Sequence, residues 1–355
     1  MHNNNFDFLR LLFAGFVLIT HAYMFTGISD CDWLCQLSNG QTYFTDIGVK
    51  GFFIISGYLV YQSALRSAGP RDYLWKRMLR IYPGLFVVLM LIVLLGPLVY
   101  NSTLSYWQNK AVWTYIPSNL SLYKKQTIIP GIFDQNPHNA VINGSLWTIA
   151  YEFFFYILLL SLFVIRKQQR WLSVFLVSLF IAMYMPLLIW GESLMRFGFI
   201  LNLYQLLAFG APFFAGALLA HVKLEALSKK LMWFCVSLAL LIISFAIGWY
   251  VQLGYLLLPI VVLLFGIQSF PFIRHTGKWL GDISYGVYIY GCPVQQTLVH
   301  FLRPDYLTLM LLSIPVTFVL GWLSWHGIES KALQYKNKPW QWPFVRNKSS
   351  AIAEG

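Results

Sequence analysis

Residues 6–26 read FDFLRLLFAGFVLITHAYMFT, and this stretch decides the fold. It is long and apolar enough to cross the hydrocarbon core of a bilayer as one α-helix. Within it lie Arg10 and His21, eleven positions apart. At about 100° per residue, eleven steps return to within about 20° of the starting direction, roughly 16 Å further along the axis. Both side chains therefore share one face at two depths. Ionisable groups inside a span are rare and by default mark function. The plainer alternative is that Arg10 snorkels to the inner headgroups and His21 bonds to a neighbouring helix.

The rest of the chain extends this reading. The 355 residues are 58% hydrophobic and 11% charged, with a mean hydropathy of +0.62. A soluble domain would carry about 25% charged residues. Apolar runs recur near 7–27, 45–63, 80–100, 145–165, 171–190, 200–220, 231–251, 255–270, 279–298 and 306–327. The chain thus reads as an all-α polytopic membrane protein of about ten transmembrane helices. Of 25 Lys and Arg residues, 18 fall in loops on the side of the termini and 5 on the other. By the positive-inside rule both termini are cytoplasmic. Topology therefore accounts for much of the net charge of +12, and nothing suggests a nucleic-acid partner. Residues 1–9 hold no Lys or Arg, so the first span is expected to remain as a helix, not as a cleaved signal peptide. The longest loop, about 101–144, should face outward. Residues 1–330 form the membrane domain and 331–355 a polar cytoplasmic tail. Cys31 and Cys35 flank the short loop CDWLC, where a disulfide is open if the loop is periplasmic. Cys235 and Cys292 lie in apolar runs and read as packing residues.

Four further segments could carry chemistry. The second span begins TDIGVKGFFIISGYL, residues 45–59. Its Ser56-Gly57 pair permits close helix approach, and Lys50 either snorkels or faces a cavity opposite Asp46 at i−4. A basic run follows with Arg66, Arg71, Lys76, Arg77 and Arg80. It is a topology signal, a trap for a phosphorylated ligand, or an anionic-lipid contact. The fourth span opens NGSLWTIAYEFFFYILL, residues 143–159. A carboxylate at Glu152 must be protonated, paired or in a wet cavity, and Arg10, His21 or Lys50 is its expected partner. Near the end, GDISYGVYIYGCPVQQTL, residues 281–298, spaces Tyr285 and Tyr288 at i, i+3 and puts Pro293 inside a span, where it should kink the helix. His326 and Glu329 read as caps on the last span. No His/Cys spacing suits a metal, and no phosphate-binding glycine loop or nucleophile elbow is present. Intramembrane Arg, His and Glu also suit a transporter using His21 and Glu152 as a proton or anion relay.

Arg10 and His21, GFFIISGYL, RDYLWKRMLRIYP, SLWTIAYEFFFY and GDISYGVYIYGCPVQQ occur in that order. Together they resemble the bacterial acyltransferase 3 family of membrane O-acyltransferases, across residues 5–330. The resemblance implies an enzyme of the bacterial inner membrane that moves an acyl group, usually acetyl, from cytoplasmic acyl-CoA. The acceptor would be a hydroxyl of a surface polysaccharide or its lipid-linked precursor. It implies catalytic roles for Arg10, His21 and Glu152. His21 would act as general base, Glu152 would orient the imidazole, and Arg10 would orient His21 or the cofactor arm. An acyl-His intermediate is the alternative. Arg71, Lys76, Arg77 and Arg80 would contact CoA, while Lys50, Ser56, Trp147 and Tyr285 would line the acceptor site or cavity. Lys50 departs from the acidic or apolar residue many members carry there. The chain lacks the C-terminal hydrolase-like domain of some relatives, so acceptor binding is expected from the membrane domain alone.

Overall fold

A computed structural model describes residues 4–138, 140–198 and 200–337. Among them the chain is helical, with two isolated bridges as its only β-pairing. The helices are α1 (Phe6–Phe25), α2 (Trp33–Leu37), α3 (Phe44–Arg66), α4 (Pro70–Leu95) and α5 (Lys110–Leu120). Next come α6 (Trp147–Leu158), α7 (Leu162–Ile165), α8 (Gln169–Trp190), α9 (Leu203–His221) and α10 (Lys230–Ala246). The last five are α11 (Tyr250–Gly266), α12 (Thr276–Trp279), α13 (Ser284–Leu302), α14 (Tyr306–Ser324) and α15 (Ser330–Leu333).

Each of the ten predicted stretches overlaps a helix, and that at 145–165 is divided between α6 and α7 by a tighter turn at Leu159–Ser161. Six helical segments are long and apolar enough to cross a membrane: 6–25, 70–99, 147–165, 169–196, 203–221 and 306–336. The apolar helices α10 and α11 have 17 residues each. Helices α3 and α13 are longer but more polar. Large apolar side chains such as Leu311, Val319 and Leu323 on α14, and Val174 and Ile181 on α8, stand exposed. Apolar surface on this scale suits lipid, not water.

Three boundaries differ from expectation, each for a local reason. Helix α4 begins ten residues early, because Pro70 occupies its first turn, where a missing N–H costs nothing. Arg71, Lys76, Arg77 and Arg80 therefore lie on α4, and Arg66 ends α3. Helix α13 begins at Ser284 instead of 279, because Gly281 adopts a positive φ of 81° and breaks the chain direction. Asp282 is thereby placed ahead of the helix, and α13 runs through Pro293 as one helix. The predicted loop at 101–144 holds α5, whose start is capped by the Asn109 side chain accepting from Ala111 N–H. The polar tail predicted for 331–355 lies largely outside the described residues; its start, through 337, continues as helical turns.

Cys31 and Cys35 are joined by a disulfide beside α2. Helices α3 and α9 approach each other backbone to backbone. A Cβ at Gly57 would overlap the Phe213 carbonyl, and one at Gly216 would overlap that of Ile54. Glycine lets the two backbones touch, as the Ser56-Gly57 pair suggested. Around the crossing, Phe53 stacks on Phe209 at 4.7 Å, and Phe155 packs on Phe213 at 5.1 Å. This aromatic block holds α3, α6 and α9 together and fixes the wall of the cavity beside them.

Candidate active site

A cavity of about 420 Å³ is lined by α1, α3, α4, α6 and α13, with Leu333 of α15 and Lys336 also contributing. It follows α3 from Arg66 to Val49, seventeen residues or roughly 25 Å. Arg66, Lys76 and Lys336 stand at one end, and Phe52, Thr148 and Tyr288 at the other. Arg10, Arg77, Arg80 and Glu152 line the middle.

The cations differ in how they are held. Arg10 pairs with Asp7 at 2.5 Å and with Asp282 at 2.8 Å. Arg80 reaches the same Oδ2 of Asp282 at 2.8 Å. One carboxylate thus ties the first helix to the basic run. Lys76 is paired with Asp72 at 2.7 Å. Arg77 donates to Oγ of Ser63 at 3.2 Å and lies 5.7 Å from the Tyr156 ring centre. The Nε atoms of Arg10 and Arg77 are buried without a protein partner. Arg71 is exposed and outside the cavity lining.

Glu152 has different partners from those predicted. Ser56 donates to its Oε1 at 2.7 Å and Tyr156 at 2.5 Å. The expected contacts with Arg10, His21 and Lys50 are replaced by hydroxyl groups, because α3 presents Ser56 to this side of α6. Lys50 instead pairs with Asp46 at 2.8 Å and sits 4.5 Å above the Tyr255 ring. Trp147 packs on Tyr151 and Phe209, at 5.7 and 5.4 Å. Lys50 and Trp147 both lie outside this cavity's lining, whereas Ser56 and Tyr285 belong to it. Tyr285 donates to the Ile81 carbonyl at 2.9 Å, beside Arg80.

His21 lies just beyond the far end of the cavity. There Thr148 and Tyr288 share a hydrogen bond of 2.6 Å, and Phe52 packs on the Tyr288 ring at 5.6 Å. One turn further along α13, about 6 Å, Sγ of Cys292 is 3.3 Å from Nδ1 of His21. As a whole residue His21 is intermediate in exposure. Its neighbours include Phe25, at 5.4 Å between rings.

The sequence reading gave no role to Asp282, Asp7, Ser63 or Tyr156. A signal for Asp282 existed: arginines near membrane depth need counter-ions, and the chain has only 13 acidic residues to supply them. Glu329, expected to cap a helix, is instead buried at 2% exposure. It accepts from Ser324 at 2.8 Å. A single π-turn over Trp325–Glu329 turns it inward, a feature frequent at functional sites. Among the described residues, no group of three or more His, Cys, Asp or Glu is placed to hold a metal ion.

Fold and site define a multi-pass helical membrane protein with a cation-lined internal cavity leading toward a histidine. The chain belongs to the acyltransferase 3 family, whose acyltransferase domain matches residues 3–326. It is 30% identical over 345 residues to an O-acetyl transferase of Shigella phage Sf6, covering 94% of this chain and 97% of that protein. It is 26% identical over 370 residues to nodulation protein 10 of Rhizobium leguminosarum bv. viciae, covering 94% of each. No solved structure matches the chain. Membership of this family makes the protein an acyltransferase that uses an acyl donor, in place of the transporter considered above.

Proposed function

We propose that the protein is an O-acyltransferase of the bacterial inner membrane, with ten spans and both termini cytoplasmic. It moves an acyl group, most simply acetyl, from cytoplasmic acyl-CoA to a hydroxyl of a surface polysaccharide or its lipid-linked precursor. O-antigen, capsule and exopolysaccharide all present such hydroxyls. The name of the phage relative supports the oxygen acceptor and the acetyl group.

One observation carries the reading. The cavity is cationic at one end, and its lining includes Thr148 and Tyr288, one helical turn along α13 from Cys292, the partner of His21. Arg66, Lys76, Arg77 and Lys336 supply charge for the CoA phosphates, with Arg71 contributing at longer range. The pantetheine arm extends along α3. Its amides meet the hydroxyls of Ser56, Tyr156 and Tyr285 and the carboxyl of Glu152. Arg10 and Arg80, held by Asp282, shape the wall beside the arm. Passage of the acyl group beyond Tyr288 requires the Thr148–Tyr288 bond to open.

His21 receives the proton of the acceptor hydroxyl as its oxygen attacks the acyl carbonyl. With Nδ1 engaged by Cys292, Nε2 is the nitrogen left for an outer ligand. Glu152 acts on the donor arm instead of orienting the imidazole: Ser56 and Tyr156 both donate to its Oε1, which leaves Oε2 for the arm.

The test is acyl transfer by the full chain reconstituted in vesicles, with labelled acetyl-CoA supplied to one side. His21→Ala is expected to lose at least ~100-fold in rate with membrane insertion intact. Unchanged glycan acetylation by that variant would overturn the assignment.

A further inference from the structure

Cys292 is fully buried on α13. Its Sγ lies 3.3 Å from Nδ1 of His21 and 3.2 Å from Oγ of Ser145. The backbone amides of Gly144 and Ser145 face the same sulfur. A base therefore stands on one side of this thiol, and a hydroxyl and two N–H dipoles on the other. Such a setting gives the thiol a base that can take its proton as the sulfur attacks, and donors that hold the sulfur in place during the attack. The sulfur lies outside the cavity lining but close to two residues within it. Thr148, three residues after Ser145, and Tyr288, four before Cys292, belong to the lining and are hydrogen-bonded to each other. Beyond that contact, an acyl carbonyl advancing along α13 meets Cys292 one turn later.

We propose, resting on the acyl-CoA reading above, that Cys292 carries the acyl group between donor and acceptor. In the first half-reaction Sγ attacks the thioester carbonyl and its proton passes to Nδ1 of His21. The bond from Cys292 Sγ to the acyl carbon forms, the bond from CoA sulfur breaks, and CoA leaves as the thiol with that proton. In the second half-reaction the acceptor oxygen attacks the Cys292 thioester, and its proton returns through His21 to the sulfur. A C–O ester bond forms and the C–S bond breaks, with no change of oxidation state. Each chemical step uses a group within contact distance of His21. CoA can depart by the cavity before the acceptor arrives from the other side. Cys292 becomes a catalytic residue, and Ser145 a positioning residue for its sulfur.

The experiment uses the full chain in nanodiscs with radiolabelled acetyl-CoA and no acceptor. Cys31 and Cys35 are bonded to each other, so Cys235 and Cys292 are the two free thiols. Wild type and Cys235→Ser should each hold a covalent label that neutral hydroxylamine releases. Cys292→Ala should hold none and should lose at least ~100-fold in glycan acetylation. Peptide mapping should put the label on the segment containing Cys292. Should Cys292→Ala fail to fold, mapping of the wild-type label decides by itself. Acetylation by Cys292→Ala at the wild-type rate, a label mapping to His21, or an active enzyme without label overturns the proposal. Each of these leaves the acyl-CoA reading standing. Wild-type enzyme that transfers nothing from acetyl-CoA overturns both.

Discussion

Arg10 meets two carboxylates, and one of them, Asp282, also holds Arg80. The arrangement explains how two arginines can share the wall of one cavity: a single partly buried anion lowers the repulsion between them. Removing a partner from such a cluster leaves uncompensated charge. Asp282→Asn is expected to destabilise the protein by about 3 kcal/mol, measured as thermal unfolding in detergent. It should also raise the KM for acyl-CoA, because the Arg10 and Arg80 side chains lose their common anchor. Arg77 gives a contrasting case. Its hydroxyl partner leaves the charge unneutralised and its Nε unpartnered. Arg77→Ala should raise the acyl-CoA KM about 10-fold, the loss of one charge-assisted contact. Arg71→Ala should do less, since that side chain is exposed outside the cavity lining. Equal effects of the two substitutions would reduce the basic run to a diffuse field.

Among the elements, the pair α3 and α9 sets the geometry. Both backbones come into contact at Gly57 and Gly216, and α3 is the helix along which the cavity runs. Gly57→Ala and Gly216→Ala should each cost about 1–3 kcal/mol through overpacking, read from thermal unfolding. Gly15→Ala is the control, since a Cβ there meets nothing within 4 Å. Equal melting temperatures for all three variants would mean that α3 and α9 are not in backbone contact. Much of this scale was legible beforehand. Continuous apolar runs gave each long helix, and the Ser56-Gly57 pair marked a close approach. The starts of α4 and α13 were not legible, because Pro70 and Gly281 act on local backbone geometry that a hydropathy pattern does not register.

For the whole molecule, charge and topology act together. Five cations of the cavity lining lie in α3, α4 and the turns after α15, at its mouth or midway. Donor binding should therefore weaken as salt rises. Raising ionic strength from about 0.05 to 0.5 M shortens the Debye length to roughly a third and should raise the acyl-CoA KM several-fold. An unchanged KM would argue that charge plays little part in donor capture. Reporter fusions give a separate check on orientation. A fusion near Ser121 should report the outer side, and one after residue 337 the cytoplasm.

The sequence by itself determined the membrane class, the positions of the long helices and the shared face of Arg10 and His21. Those properties follow from composition and helical repeat, which depend on neighbours in the chain. Tertiary structure alone decided the partners. Glu152 meets Ser56, 96 residues away, instead of His21. His21 meets Cys292, 271 residues away, a residue that reads as mere packing in its own helix. Such pairs depend on how helices rotate and cross, which is set by side-chain packing between distant segments and leaves no periodic trace along the chain.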